Sequence, residues 1–141
     1  MRFWDTSAIV PLIVNESATP AVQALFQEDP GQVVWCMTEV EIHSALARRD
    51  REGSLERGPA STARKSLEEL ARSWEEVVAL DPVRARAIRL LRAHSLRATD
   101  ALQLAAALVV CDEKPEGLPF ISLDDRLNDA ARKEGFAVLP Q

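Results

Sequence analysis

The chain has 141 residues, of which 47% are hydrophobic, and it carries a formal net charge of −5 at pH 7. This length favours one domain, over residues 1–141, and the apolar fraction is sufficient for a substantial core. No apolar run reaches the roughly 18 residues of a membrane span, and the net acidity argues mildly against a protein that binds nucleic acid through charge alone.

Predicted strands and helices alternate along the chain. The first half predicts a strand over 2–5, a short helix within 5–16, a helix over 19–29, a strand over 32–37 and a helix over 38–53. The second half predicts a helix within 56–74 that begins after Pro59, a strand over 76–81, helices over 82–95 and 97–108, a strand over 120–124, a helix over 125–135 and a strand over 136–140. Such alternation is typical of an α/β fold with a parallel sheet.

Acidic residues recur where these strands end and where these helices begin. Asp5, Asp81 and Asp124 end predicted strands, whereas Glu41 and Asp100 lie at the start of predicted helices. In open parallel sheets, ligands bind beyond the carboxyl ends of the strands, so several of these acids are expected to converge. Converging carboxylates repel one another unless a cation lies between them, and oxygen ligands favour Mg²⁺ or Mn²⁺ over zinc.

The same acids have a purely structural interpretation as helix caps. Thr38 and Glu41 fit a capping box, and Thr99 or Asp100 lies where a cap of the next helix would stand. A carboxylate near a helix N-terminus gains about 0.3–1 kcal/mol from the helix dipole. The two roles are compatible, because one carboxylate oxygen caps a helix while the other binds a cation. Asp81 lies outside the set expected to bind a cation: we interpret it as a strand-end cap of the helix that starts at Pro82, with a role in the site as the open alternative.

Four motifs carry a resemblance to a known family. "WDTSAIVPLIVNE" resembles its opening D-[ST]-S segment, and "TEVEIHSALARR" resembles its E-hydrophobic-x-S-A-L helix. "LRATDALQLAAAL" resembles its L-R-x-x-D-A-x-x-L-A-A-A helix, and "FISLDDRLNDAARKEGFAVL" resembles its closing T-x-D-x-R-L block. In this order the motifs resemble the PIN-domain ribonucleases, specifically the VapC toxins of VapBC toxin–antitoxin pairs. The resemblance implies a three-layer α/β/α fold with a central parallel sheet of about five strands.

The resemblance also implies a set of site residues. The family's acidic quartet, which serves in catalysis and as metal ligands, falls on Asp5, Glu41, Asp100 and Asp124. Glu39 and Asp125 are the alternatives for the second and fourth acids. Substrate-binding roles fall on Thr6, Ser7, Arg97 and Ser122, the last of which stands where the family often has threonine. A row of arginines on the predicted helix over 82–95 has two open interpretations, a phosphate-binding strip or a solvated helix face.

The implied activity is hydrolysis of RNA phosphodiester bonds with one or two Mg²⁺ or Mn²⁺ ions. The implied partners are an RNA substrate, a VapB-like antitoxin that contacts the helices around 8–26 and 38–52, and a second copy in a homodimer. Two cysteines without a CxxC pair, together with an N-terminus that lacks a signal peptide's charged leader, indicate a cytoplasmic protein. No membrane partner is expected.

Three alternatives remain open at this stage. A receiver-like Mg²⁺-binding signalling domain would need an adjacent acid pair after the first strand and a lysine after the last. A haloacid-dehalogenase-like phosphatase would need a D-x-D motif, but Ser7 stands in the place of its second acid. A catalytically silent PIN-like binding module would not need the complete acidic quartet.

Overall fold

The computed structural model describes residues 1–141 and contains one sheet of five parallel strands. The strands are β1 (Arg2–Trp4), β2 (Gln32–Trp35), β3 (Glu75–Val77), β4 (Phe120–Ile121) and β5 (Val138–Leu139), in the spatial order β3-β2-β1-β4-β5. The chain builds outwards from β1 to β3 and then returns to the other side of β1. The switch point of this topology, where open sheets bind ligands, therefore lies between β1 and β4.

Seven helices cover the two faces of this sheet. They are α1 (Thr6–Ile13), α2 (Thr19–Glu28), α3 (Thr38–Arg51), α4 (Arg57–Ser73), α5 (Leu80–Ala93), α6 (Ala98–Val110) and α7 (Asp125–Lys133). One apolar core joins the sheet to α1–α4, and a second core joins it to α5–α7. The predicted three-layer α/β/α fold with five parallel strands is confirmed. None of the helices is long and apolar enough to cross a membrane.

The alternation of side chains along each strand supplies both cores. In β1, Phe3 enters the core beneath α5–α7 and stacks on Phe120 of β4 with ring centroids 5.3 Å apart, while its neighbour Trp4 enters the opposite core. Successive strand residues point to opposite faces, so a strand covered on both sides is apolar throughout. The central strand β1 is therefore covered on both faces, and it directly precedes Asp5.

Several predicted boundaries were wrong. The helix predicted to begin after Pro59 begins at Arg57, because proline is tolerated in a first turn, where its missing N–H would have no helical partner. The strand predicted over 76–81 ends at Val77, which pairs with the last residue of β2, Trp35. Asp81 therefore lies not at a strand end but in the first turn of α5, exposed to solvent; the prediction that it caps this helix is wrong, because the N-cap is Ala79 and no side chain caps α5. The strand predicted over 136–140 is confined to 138–139.

Candidate active site

All four predicted acids line one cleft of about 610 Å³ at the carboxyl end of the sheet. Asp5 directly follows β1, Glu41 lies in the first turn of α3, Asp100 lies in the first turn of α6, and Asp124 precedes α7. The cleft opens beside the switch point between β1 and β4. Residues from four separate parts of the chain thus meet because the topology brings their helix and strand ends to one edge.

Asp5 is the most buried of the acids, with 5% of its surface exposed. It is the N-cap of α1, and its Oδ2 accepts hydrogen bonds from Ser7 N at 3.1 Å and Ser7 Oγ at 2.5 Å. Burial raises the pKa of Asp5 to about 6; the Ser7 hydrogen bonds oppose this rise, and the negative charges of Asp100 and Asp124 add to it. The site therefore disfavours the ionised form of Asp5, which a nearby positive charge would stabilise.

Glu41 is the second acid whose charge is disfavoured. Burial raises its pKa to about 7, and the charge of Asp5 contributes next. Gln103 Nε2 donates a hydrogen bond to Glu41 Oε2 at 3.0 Å, which lowers the pKa in part. The ionised form of Glu41 is therefore disfavoured, chiefly by its burial and next by the charge of Asp5.

Arg97 joins the other two acids. Its Nε donates to Asp100 Oδ2 at 3.2 Å, and its Nη2 lies 3.5 Å from Asp124 Oδ2. The hydrogen bond and charge of Asp100, followed by the charge of Asp124, raise the pKa of the Arg97 guanidinium. The Arg97 side chain is 71% exposed, so the pair is held weakly and the guanidinium is free to reorient towards a ligand.

Two serines connect the ends of β1 and β4 behind the acids. Ser7 Oγ accepts a hydrogen bond from Leu123 N at 2.9 Å and lies 3.3 Å from Ser122 Oγ. Ser122 Oγ in turn accepts from Asp124 N at 3.2 Å, and Ser122 is only 1% exposed. Thr6, Ser7 and Arg97 line the cleft, whereas Ser122 lies beneath it. Its predicted contact with substrate stays a prediction, and its observed contacts fix the loop that carries Asp124.

The capping interpretation holds for two acids and fails for two. Asp5 caps α1, and Asp124 caps α7 by accepting from Leu127 N at 2.9 Å. The predicted capping box of Glu41 is absent, because α3 starts from Met37 without a side-chain cap. Asp100 does not cap α6 either, since Arg97 occupies the cap position and Asp100 is the third helical residue. Glu41 and Asp100 are therefore not held in place by a capping role.

Three residues of α3 that the sequence analysis did not predict also line the cleft. Ser44, Ala45 and Arg48 follow the predicted Glu41 at the i+3, i+4 and i+7 spacing of one helix face. Arg48 forms no ion pair, whereas its neighbour Arg49 pairs with Glu16. The spacing of Arg48 from Glu41 was the available signal in the sequence for a role in the cleft.

The arginine row of α5 does not contribute to this cleft. Arg86 donates to Glu113 at 2.6 Å and to Glu134 at 2.9 Å, so it connects α5 to the segments before and after β4. Its carboxylate partner Glu134 also contacts His94 Nε2 at 2.7 Å. Arg86 thus forms a structural ion-pair network on another part of the surface. None of the arginines of this row lines the acidic cleft.

The donor chemistry of the cleft fits a hard divalent cation. Its candidate ligands are carboxylate oxygens, and the like charges that raise the pKa values of Asp5 and Glu41 would be relieved by a positive ion. The acidic side chains do not yet form a preassembled metal site: no three His, Cys, Asp or Glu side chains lie close enough together to hold a metal ion. Arg97 instead pairs with Asp100 and Asp124.

Comparisons with known proteins agree with this architecture. The family model described as "PIN domain" matches residues 2–133. Ribonuclease VapC45 of Mycobacterium tuberculosis strain CDC 1551 and Ribonuclease VapC49 of strain H37Rv are each 30% identical over 138 residues, covering 98% of this chain and 94% of theirs. The crystal structure of FitAcB from Neisseria gonorrhoeae has the same fold, with a TM-score of 0.68, 18% identity and coverage of 99% of this chain and 97% of that one. The chain therefore belongs to the PIN domain family and, within it, is a relative of the VapC ribonucleases.

Proposed function

We propose that the chain is a metal-dependent endoribonuclease and the toxin of a type II toxin–antitoxin pair. The observation that carries this proposal is the convergence of Asp5, Glu41, Asp100 and Asp124 on one cleft. The relatives named as VapC ribonucleases support the reaction class. The cleft has no lysine among its lining residues, which counts against a receiver-like signalling domain.

Asp5 and Asp100 would hold Mg²⁺ or Mn²⁺ directly, with Glu41 and Asp124 completing the site or orienting water around it. The ion supplies Lewis-acid chemistry, which stabilises charge developing on the phosphate and acidifies the attacking water. Asp5 Oδ2 is occupied by Ser7, so Oδ1 is the oxygen left to face the cleft. Glu41 Oε2 likewise accepts from Gln103, and the Thr6 hydroxyl also hydrogen-bonds to this carboxylate, so Oε1 is the oxygen proposed to accept a proton or a ligand.

The cationic residues of the cleft account for substrate binding. Arg97 lies beside Asp100 and Asp124, and Arg48 lies two helical turns along α3 from Glu41, about 10 Å by helix rise. These guanidinium groups would bind phosphates of an RNA strand whose scissile bond lies at the acids. The Thr6 hydroxyl at the floor of the cleft is a further donor to a phosphate oxygen. The net charge of −5 does not oppose this, because the cations are local to the site.

The toxin role implies two protein partners. A VapB-like antitoxin would cover the cleft and present a basic group to the acids, for which Arg97 now supplies the positive charge. A second copy of the chain would form a homodimer. Sedimentation of the purified chain alone and with its antitoxin is expected to give a dimer and a larger complex; a monomer that no antitoxin binds would contradict both assignments.

Cleavage of a mixed RNA pool by the purified chain tests the activity. The expected result is cutting with Mg²⁺ or Mn²⁺, none with chelator, and none from Asp100→Asn, which keeps the side-chain shape and removes the charge. Asp81→Asn is the matched control, because the same change at an exposed acid outside the cleft leaves cutting intact. Unimpaired cutting by Asp100→Asn would refute the assigned site. A wild-type chain that neither cuts RNA nor binds Mn²⁺ would favour a silent PIN-like binding module.

A further inference from the structure

Gln103 is a buried polar residue in the middle of the apolar helix α6. It has no exposed surface, and its neighbours Leu104, Ala105 and Ala106 are buried in the core. Burying an amide is costly unless its hydrogen bonds are satisfied, so a polar residue here requires a reason beyond packing. A leucine or methionine would occupy the same space without that cost.

The Gln103 amide nitrogen reaches across the cleft floor to two other helices. Nε2 lies 3.0 Å from Thr38 Oγ1, 3.0 Å from Glu41 Oε2 and 3.2 Å from Thr6 Oγ1. These acceptors belong to α3 and α1, so one side chain of α6 connects three elements that surround the acids. The amide nitrogen has only two hydrogens, and two of its three acceptors, Thr6 and Glu41, belong to residues that line the cleft.

Only one end of the Gln103 amide, the nitrogen, forms hydrogen bonds. Gln103 Oε1 is buried and has no hydrogen-bond partner. A glutamine retained only for stability would be expected to satisfy both ends of its amide, since an unpaired buried acceptor destabilises the fold. The side chain instead directs its donor to Glu41 and leaves its acceptor unpaired. This geometry is what a group that orients a carboxylate requires.

We propose that Gln103 is a positioning residue that holds Glu41 Oε2 so that the other oxygen of this carboxylate, Oε1, faces the cation site. This inference rests on the proposed function, because it assigns Glu41 a place around the metal. Groups that hydrogen-bond to ligating carboxylates commonly fix their orientation, and removing such a group typically costs about 10- to 100-fold in metal affinity or activity. Gln103 itself contacts neither the cation nor RNA.

A structural alternative makes a different prediction. If Gln103 serves only to join α6 to α3, its bond to Thr38 should matter as much as its bond to Glu41. Thr38→Val removes the first acceptor with little change in shape and leaves the second intact. Gln103→Met removes the donor to both while keeping the length of the side chain. Thr38→Val is therefore the matched control for the packing contribution.

Mn²⁺ binding by calorimetry, steady-state RNA cleavage and thermal unfolding would be measured for the full chain and both variants. We expect Gln103→Met to lower Mn²⁺ affinity and kcat by about 10-fold or more, with the KM for RNA unchanged and the protein folded. Thr38→Val is expected to stay folded and to remain within about twofold of wild type in Mn²⁺ affinity and in kcat.

Two results would overturn this assignment, and they differ from failure of the proposed function. Wild-type Mn²⁺ affinity and kcat in Gln103→Met would show that Glu41 needs no positioning. Equal losses in Gln103→Met and Thr38→Val would show a structural connection instead. If the wild-type chain itself neither binds Mn²⁺ nor cuts RNA, the proposed function fails and this assignment fails with it.

Discussion

Replacing Asp5 by asparagine is expected to stabilise the metal-free protein at neutral pH. Burial raises the pKa of Asp5 from an ordinary 3.8 to about 6. Between these two values the folded state binds more protons than the unfolded state, so stability falls as the pH rises through this window. Each pKa unit corresponds to about 1.4 kcal/mol, which gives a penalty of about 3 kcal/mol above pH 6. Asparagine resembles the protonated carboxyl and avoids this penalty.

Urea unfolding in the presence of chelator measures this effect. At pH 7.5, Asp5→Asn should exceed wild type by up to about 3 kcal/mol in free energy of unfolding, and near pH 4 the two should be almost equal. Asp81→Asn is the control, because Asp81 has 92% of its side chain exposed and its replacement should change stability by less than about 0.5 kcal/mol. A variant that is no more stable than wild type at pH 7.5 would refute the reasoning.

Added Mn²⁺ should reverse the order of the two proteins. A ligand at 1,000 times its dissociation constant stabilises the protein that binds it by about 4.1 kcal/mol, which exceeds the expected difference of about 3 kcal/mol between the two proteins. Wild type should gain this stabilisation, whereas Asp5→Asn should gain little because it lacks a candidate ligand. Equal stabilisation of both proteins by Mn²⁺ would place the ion elsewhere. The combined experiment therefore distinguishes a carboxylate that is only destabilised by burial from one that also binds a cation.

Two further predictions concern the cations of the cleft. Arg97→Gln should tighten Mn²⁺ binding several-fold, because Asp100 and Asp124 lose their competing partner, and it should weaken RNA binding; weaker Mn²⁺ binding by calorimetry would contradict this. Arg48→Gln should leave Mn²⁺ binding unchanged and reduce the salt slope of RNA affinity by about one. An unchanged salt slope of RNA affinity, measured by fluorescence anisotropy, would show that Arg48 does not contact RNA phosphates.

The fold was predictable because its signals are local and repeated. Each strand is a short apolar run between helices, and parallel order follows from that alternation. The residues at which the strands and helices begin and end were harder to predict. The end of β3 at Val77 depends on where its partner β2 ends at Trp35, which is a tertiary property. The helix predicted from Pro82 starts earlier, at Leu80, because Pro82 is accommodated within its first turn.

The convergence of the four acids on one cleft was predictable, whereas the contacts of each acid were not. The four acids could be selected because the resemblance supplied their spacing, and the switch-point rule explains why they meet. Their individual partners could not be read from the sequence. "RATD" permits several helix starts, and only packing makes Arg97 the cap and Asp100 the third residue of α6. The contacts of Gln103 could not be predicted either, since they lie on α1 and α3, far from it in sequence.

The two acids that cap helices show how one residue serves stability and chemistry together. Asp124 Oδ1 accepts a hydrogen bond from Leu127 N, while its Oδ2 lies 3.5 Å from Arg97 Nη2. Asp5 Oδ2 accepts from Ser7 N and Ser7 Oγ, and its Oδ1 accepts no hydrogen bond from the protein. Each cap fixes the carboxylate plane with one oxygen and leaves the other to the cleft, so the orientation does not depend on a bound ion. Glu41 and Asp100 do not cap helices; Glu41 accepts a hydrogen bond from Gln103 instead, and Asp100 accepts one from the exposed Arg97.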